Sequence, residues 1–183
     1  AEEAQNRGHD LYVYTPGDLT FNRGKVAADV RPISLKRKIG DHVKFGASEK
    51  IELSEFDVIW LRQDPPFDMG YITNTHLLDL VAQEALIVNN PFWVRNLPEK
   101  LLVLEFPDLI PATVISRDLE EIKKFKSEVR DIIVKPLYGN GGAGIFRLTD
   151  DDKNLASLHE LFTSMSSEPL IAQAFLPDVK NGD

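Results

Sequence analysis

The run DIIVKPLYGNGGAGIFRL, residues 131–148, constrains the fold of this chain more than any other stretch. Ile132, Ile133 and Val134 are β-branched and form a strand suited to the inside of a sheet. Proline supplies no ladder N–H, so Pro136 marks the strand's end. The glycines at 139, 141, 142 and 144 turn the chain back, and GIFRL reads as the returning strand. Lys135 stands at the end of the first strand, on the side of Ile133 and opposite Ile132 and Val134. Burying an ammonium is costly unless an anion or several acceptors meet it. Phosphate oxygens suit a compact lysine charge. A loop stripped of side chains lets the backbone lie over such an anion and aim successive N–H groups at it. The order of parts differs from the GxxxxGK(S/T) phosphate loop, whose lysine follows the glycines. It differs also from the dinucleotide fingerprint, which leads into a helix. On the residues alone a second reading stays open: a flexible hairpin whose lysine reaches solvent at a strand edge.

Around this hairpin the second half of the chain reads as α+β from about residue 97. Asn96 is placed to cap a helix over LPEKLLVLEF, with Pro98 in the first turn, Glu99 three residues on, and Pro107 ending it. Asp118 and Glu121 repeat that pattern before LEEIKKFKSE. NLASLHELFTSM is an amphipathic helix, and LIAQAF a closing strand. Lys100 falls in the first turn of the Asn96-capped helix. By itself it is an exposed helix residue; paired with Lys135 it offers a second charge to a phosphate chain.

The first half alternates differently. AEEAQNRG reads as the tail of a helix with Gly8 as its C-cap, and residues 10–15 as a strand. A strand entered this way ordinarily follows an earlier parallel strand, which places the chain's start inside a longer protein. The stretch TPGDLTFNRGKVAADVRPISL is turn-rich with hairpin-like pieces near residues 22–24, and RKIGDHVKFGASEKIEL reads as a surface excursion. FDVIWLR, residues 56–62, is a buried strand. A helix over residues 69–85 follows, with Ile72, Leu77, Leu80 and Val81 among its apolar positions, and LIVNNP is a further strand. Strand, helix, strand at this spacing predicts a parallel, doubly wound layer. Arg62 and Asp64 then sit at the carboxyl end of a parallel strand, where open α/β sheets take ligands. Equally, Pro65 and Pro66 shape a rigid turn and Asp68 caps the next helix.

Composition narrows the function classes. Without cysteine, thiolate metal sites, disulfides and cysteine nucleophiles are excluded. The net charge of -8 argues against a broad nucleic-acid surface, and no stretch reaches the ~18 apolar residues of a membrane span. The four histidines, at 9, 42, 76 and 159, show no metal-ligand spacing.

Taken in order, LRQDPPFD, LIVNNP, NLPEKLLVLEFPDLIPAT, DIIVKPLYGNGGAGIFRL and LIAQAFLPDVKNGD resemble the bacterial type of glutathione synthetase, an ATP-grasp ligase family. KPLYGNGGAG would suit several ATP-grasp enzymes; DPPFD followed by NNP and the lysine helix is narrower. The resemblance implies a Rossmann-like pre-ATP-grasp domain over residues 1–96, lacking its first strand. It implies the ATP-grasp small (lid) subdomain over 97–176, and the start of a C-terminal subdomain over 177–183. The implied activity joins γ-glutamylcysteine to glycine with ATP and magnesium, through an acyl phosphate, in a cytoplasmic homo-oligomer. No enzyme nucleophile is expected. Rival readings are another ATP-grasp ligase, joining other amino acids or extending a protein C-terminus, and a non-catalytic nucleotide-binding module.

By the same resemblance Lys100 and Lys135 are phosphate-binding lysines. Tyr138, Gly139, Asn140, Gly141, Gly142, Ala143, Gly144, Ile145 and Phe146 form the loop that closes over the triphosphate. Gln173, Ala174, Phe175 and Leu176 lie against the adenine, where main-chain groups read its edge. Arg62, Asp64 and Asp68 lie on the peptide-substrate side. The chain departs from the family pattern at Ala174-Phe175, often Asn-Tyr, and at Tyr138 and Asn140, commonly aspartate and methionine. The magnesium ligands and the substrate-binding arginines are expected beyond residue 183, so these 183 residues are expected to be inactive alone.

Overall fold

The computed structural model describes residues 1–181. Two compact units divide it, Ala1–Asn96 and Leu97–Asp183. Gly182 and Asp183, the end of the expected third segment, lie outside the described residues.

The first unit contains α1 (Glu2–Asn6), β1 (Tyr12–Val13), β2 (Leu19–Asn22), β3 (Lys25–Leu35), β4 (Val43–Phe45), β5 (Glu49–Glu52), β6 (Val58–Trp60), α2 (Met69–Asp79), β7 (Leu86–Val88) and α3 (Pro91–Asn96). The turn-rich stretch and the surface excursion of the sequence reading are in fact a sheet. β1, β2, β4 and β5 all pair antiparallel with β3, which is 11 residues long. Its period-two alternation is plain: Val26, Ala28 and Val30 are buried while Lys25, Asp29 and Arg31 face out. Arg23 and Gly24, both at positive φ, make the two-residue turn into it. Pro32 lacks a ladder N–H, yet the strand runs on through it: its carbonyl accepts from Gly46 N–H at 2.7 Å and the next residue, Ile33, donates to the Leu11 carbonyl at 2.8 Å. At Gly46 a Cβ would lie 2.6 Å from the Pro32 ring, so only glycine fits that close approach.

Among the described residues parallel pairing is confined to β6 and β7, with α2 between them. The predicted parallel layer is thus a single β-α-β unit inside a mixed α/β unit, and residues 12–13 join the antiparallel sheet. Val26, Ala28, Val30 and Leu53 share one core with Ile59, Leu78, Val81 and Ile87. Leu80, expected among the apolar positions of the helix, is 57% exposed, and Leu78 is buried in its stead. The cause is that regular helix ends at Asp79 and continues only as turns.

The second unit contains α4 (Glu99–Leu102), β8 (Thr113–Ser116), α5 (Leu119–Val129), β9 (Ile132–Pro136), β10 (Phe146–Leu148), α6 (Leu155–Met165) and β11 (Leu170–Ala174). The helix expected from Asn96 to Phe106 is shorter, and Asn96 does not cap it. Asn96 closes α3, where its Nδ2 donates to the Phe92 carbonyl at 2.8 Å. Pro98 holds Leu97 out of the helical region and takes the cap position itself. After α4 the chain continues through 3-10 turns at Val103–Glu105 and Pro107–Leu109.

The four strands form one antiparallel sheet in the order β10-β9-β11-β8. β11, read as a closing strand, runs in its interior. One face carries Ile132, Val134, Leu148, Leu170 and Ala172 into a core with Ile122 of α5 and Leu155 and Leu158 of α6. Alternation places Ile133, Lys135, Ile171 and Gln173 on the other face. Asp118 caps α5, its side chain accepting from Glu120 N–H at 2.8 Å. Asp118→Ala is expected to cost about 0.5–2 kcal/mol, read as a lower urea midpoint. An unchanged midpoint would remove the cap from the account.

Candidate functional site in the second unit

The β9–β10 hairpin builds one wall. Ile132 and Val134 anchor β9 in the helix-side core, which fixes Lys135 on the opposite face, directly paired with Ile171. Beyond Pro136 the buried Leu137 pins the start of the loop. Two turns follow, Gly139 N–H to Pro136 C=O at 3.3 Å and Ala143 N–H to Asn140 C=O at 3.1 Å. Gly144, at φ +72, is where the loop crosses over Pro136. A Cβ there would meet Pro136 Cδ at 3.1 Å and Phe162 Cε1 at 3.3 Å, so side chain and backbone both require glycine. Phe146 then packs edge-on against Phe162 at 5.8 Å.

Lys100 enters from α4. Its Nζ donates to the carbonyl of Pro136 at 3.2 Å and to that of Gly139. Burial first, and then the neighbouring Lys135 ammonium, pull Lys100 below the usual lysine range; Glu99 opposes this weakly. Lys100, Lys135, Glu99, Pro136, Gly139, Asn140, Gly141, Gly142, Ala143 and Ile145 line one cleft of about 210 Å³. Two ammonium groups from different elements thus share a small space under a backbone-rich loop, an arrangement fitted to a polyanion. Glu99, read from sequence as a capping partner, belongs to the cleft wall. No spacing rule marks it, except that it precedes Lys100 on a very short helix.

Residues 173–176 lie at the other end of the same sheet. Pro136 is opposite Leu170, whereas Ile132 is opposite Ala174. That is four steps of ~3.3 Å, roughly 13 Å along the strand. Gln173 Nε2 donates to Thr113 Oγ1 at 3.0 Å. The N–H groups of Ala174 and Phe175 donate to the carbonyls of Ala112 and Asp131, each at 2.9 Å. Arg147 lies 3.9 Å over the Phe175 ring and pairs with Asp131 at 2.6 Å. The Arg147 hydrogen bond chiefly holds the Asp131 carboxyl below its ordinary range. Leu176 is exposed.

In the first unit Arg62, Asp64 and Asp68 are all exposed on the segment after β6. Asp68 Oδ1 caps α2, accepting from Tyr71 N–H at 2.9 Å. Arg62 stands 6.0 Å from the Trp60 ring centroid. Gln63 Oε1 accepts from Asn74 Nδ2 at 3.2 Å, tying the segment to α2.

Among the described residues no group of three or more His, Asp or Glu side chains is placed to hold a metal ion. A second cavity, of about 300 Å³, is lined by Lys123, Lys126, Lys153, Asp150 and Asp152. Lys123 pairs with Glu120, Asp150 with Arg130, and Lys126 Nζ donates to the Asp150 main-chain carbonyl. Among the described residues no helix is long and apolar enough to cross a membrane.

Comparison with known proteins agrees with this architecture. Residues 1–95 match the family described as prokaryotic glutathione synthetase, N-terminal domain. Residues 99–183 match prokaryotic glutathione synthetase, ATP-grasp domain. Glutathione synthetases of Agrobacterium fabrum and Brucella melitensis are each 54% identical over 181 residues, 99% of this chain. The chain spans only 57% and 58% of those proteins' lengths. Among solved structures, the ATP-grasp ligase PsnB, complexed with a phosphomimetic variant of its minimal precursor, Mg and ADP, aligns over 96% of this chain and 60% of its own. The TM-score is 0.56 at 20% identity, a likeness of fold. This chain belongs to the prokaryotic glutathione synthetase family.

Proposed function

We propose that the whole protein containing this chain is an ATP-dependent ligase that joins γ-glutamylcysteine to glycine, and that the second unit holds the nucleotide. The observation that carries this is the convergence of Lys100 and Lys135 on one cleft beneath the glycine loop. The two ammonium groups neutralise charge on the triphosphate, and the loop 138–146 supplies main-chain donors while excluding water. The residues 173–176 take the adenine. Their separation from Lys135 along the sheet suits an extended nucleotide with its purine at one end and its phosphates at the other. Because the Ala174 and Phe175 N–H groups already donate within the sheet, other main-chain groups of the segment read the purine.

In the reaction a carboxylate oxygen of γ-glutamylcysteine attacks the γ-phosphorus and the bond to the ADP oxygen breaks. The glycine amine then attacks the acyl carbon, the carbon–oxygen bond breaks with phosphate leaving, and the nitrogen gives up one proton to solvent to leave the neutral amide. Stabilising the charge on the transferring phosphoryl group is the chief contribution of Lys100 and Lys135. Magnesium would supply further neutralisation of the phosphate charge, beside the two ammonium groups that Lys100 and Lys135 bring to the cleft. On the peptide side Arg62 meets a carboxylate and Asp64 an ammonium, with Asp68 shaping the turn through its cap.

The test is ADP release by a protein of the relatives' full length carrying this sequence, with magnesium ATP, γ-glutamylcysteine and glycine, each omitted in turn. ADP and glutathione appearing together, only with all components present, is the expected result. Release with a different amine acceptor alone would overturn the substrate assignment, and no release with any pairing would overturn the ligase.

A further inference from the structure

A lysine ammonium has three N–H donors, and Lys100 places two of them on the glycine loop, on the carbonyls of Pro136 and Gly139. These carbonyls flank the first turn of the loop, the one closed by Gly139 N–H on Pro136 C=O. Beyond that turn the loop's tip stands open, since a Cβ at Gly141 or Gly142 would meet nothing within 4 Å, and the chain packs back on the base only at Gly144, over Pro136. The loop's geometry is therefore set at its base, and a side chain from α4 grips that base. Lys135 faces the same cleft from β9, not from α4.

We propose that Lys100 is a positioning residue for the glycine loop, fixing its base to α4 whether or not nucleotide is bound and leaving its third donor for phosphate. The two lysines then have separable roles: Lys135 contributes charge, while Lys100 contributes charge and loop geometry. Only the role of the third donor rests on the nucleotide reading; the grip on the loop does not.

Amide hydrogen exchange at Gly139 and Ala143 tests this, in the nucleotide-free protein and with saturating magnesium ATP. Lys100→Met is expected to speed exchange at both amides by about tenfold or more, while Lys100→Arg and Lys135→Met stay close to the parent. Saturating nucleotide is expected to slow exchange in both variants, with the Lys100→Met amides staying faster than those of Lys135→Met. Unchanged exchange in Lys100→Met, or equal acceleration in Lys135→Met, would overturn the proposal. Lys100→Ala carries the same expectation if the methionine variant does not fold. Should no variant bind ATP, the nucleotide assignment falls while the nucleotide-free comparison still decides the loop's support.

Discussion

Lys135→Met is expected to weaken ATP binding by about 10- to 100-fold, in line with ~1.5–3 kcal/mol for a hydrogen bond to a charged group. The substitution keeps most of the apolar stem that lies beside Ile133 and Ile171, so the sheet should be undisturbed. It removes one of two like charges in a small cleft, and so relieves repulsion on Lys100. A loss of affinity without a fall in melting temperature therefore identifies Lys135 as a ligand-binding charge. Unchanged affinity, measured by calorimetry, would return it to the alternative of a lysine reaching solvent from a hairpin. In the full-length protein the same variant should lose ATP-dependent turnover sharply.

Ile132→Ala is the substitution expected to damage the fold most. Ile132 is fully buried, opposite Leu148 on one side and Ala174 on the other, and packs with the residues of α5 and α6. Emptying such a site costs about 2–5 kcal/mol, a large part of the ~5–15 kcal/mol that holds a typical domain together. Urea unfolding should show a midpoint lowered accordingly, with the second unit affected first. Because Ile132 anchors the strand that carries Lys135, nucleotide affinity should fall with it. A midpoint within error of the parent would mean that the helix-side face is not the core of this unit.

The second unit was largely legible in the sequence because its signals are local. The Asp118 cap, the DIIVKP strand, the glycine return and the α6 periodicity each occupy one short window, and each matches an element. β8 was not legible, since TVIS is four residues after two prolines and gains its definition by pairing with β11. Asn96 misled for the opposite reason. Its cap pattern was locally good, but Pro98 fixed the helix start two residues later. The five-stranded sheet of the first unit was hidden by Gly24, Pro32 and Gly46, which usually interrupt strands and here mark turns and a close crossing. Val26, Ala28 and Val30 carried the period-two signal throughout. For the site, Lys135 and its loop followed from residue chemistry. The contact of Lys100 with the Pro136 and Gly139 carbonyls did not, because these groups are 36 and 39 residues away in sequence.

The most direct measurement is an amide NMR titration of this chain with magnesium ATP. The predicted result is saturable shifts confined to Lys100, to residues 135–146 and to residues 173–176. Shifts centred on Lys123, Lys126 and Lys153, or no saturable shift in the second unit, would contradict the assignment of the nucleotide to the cleft beneath the glycine loop.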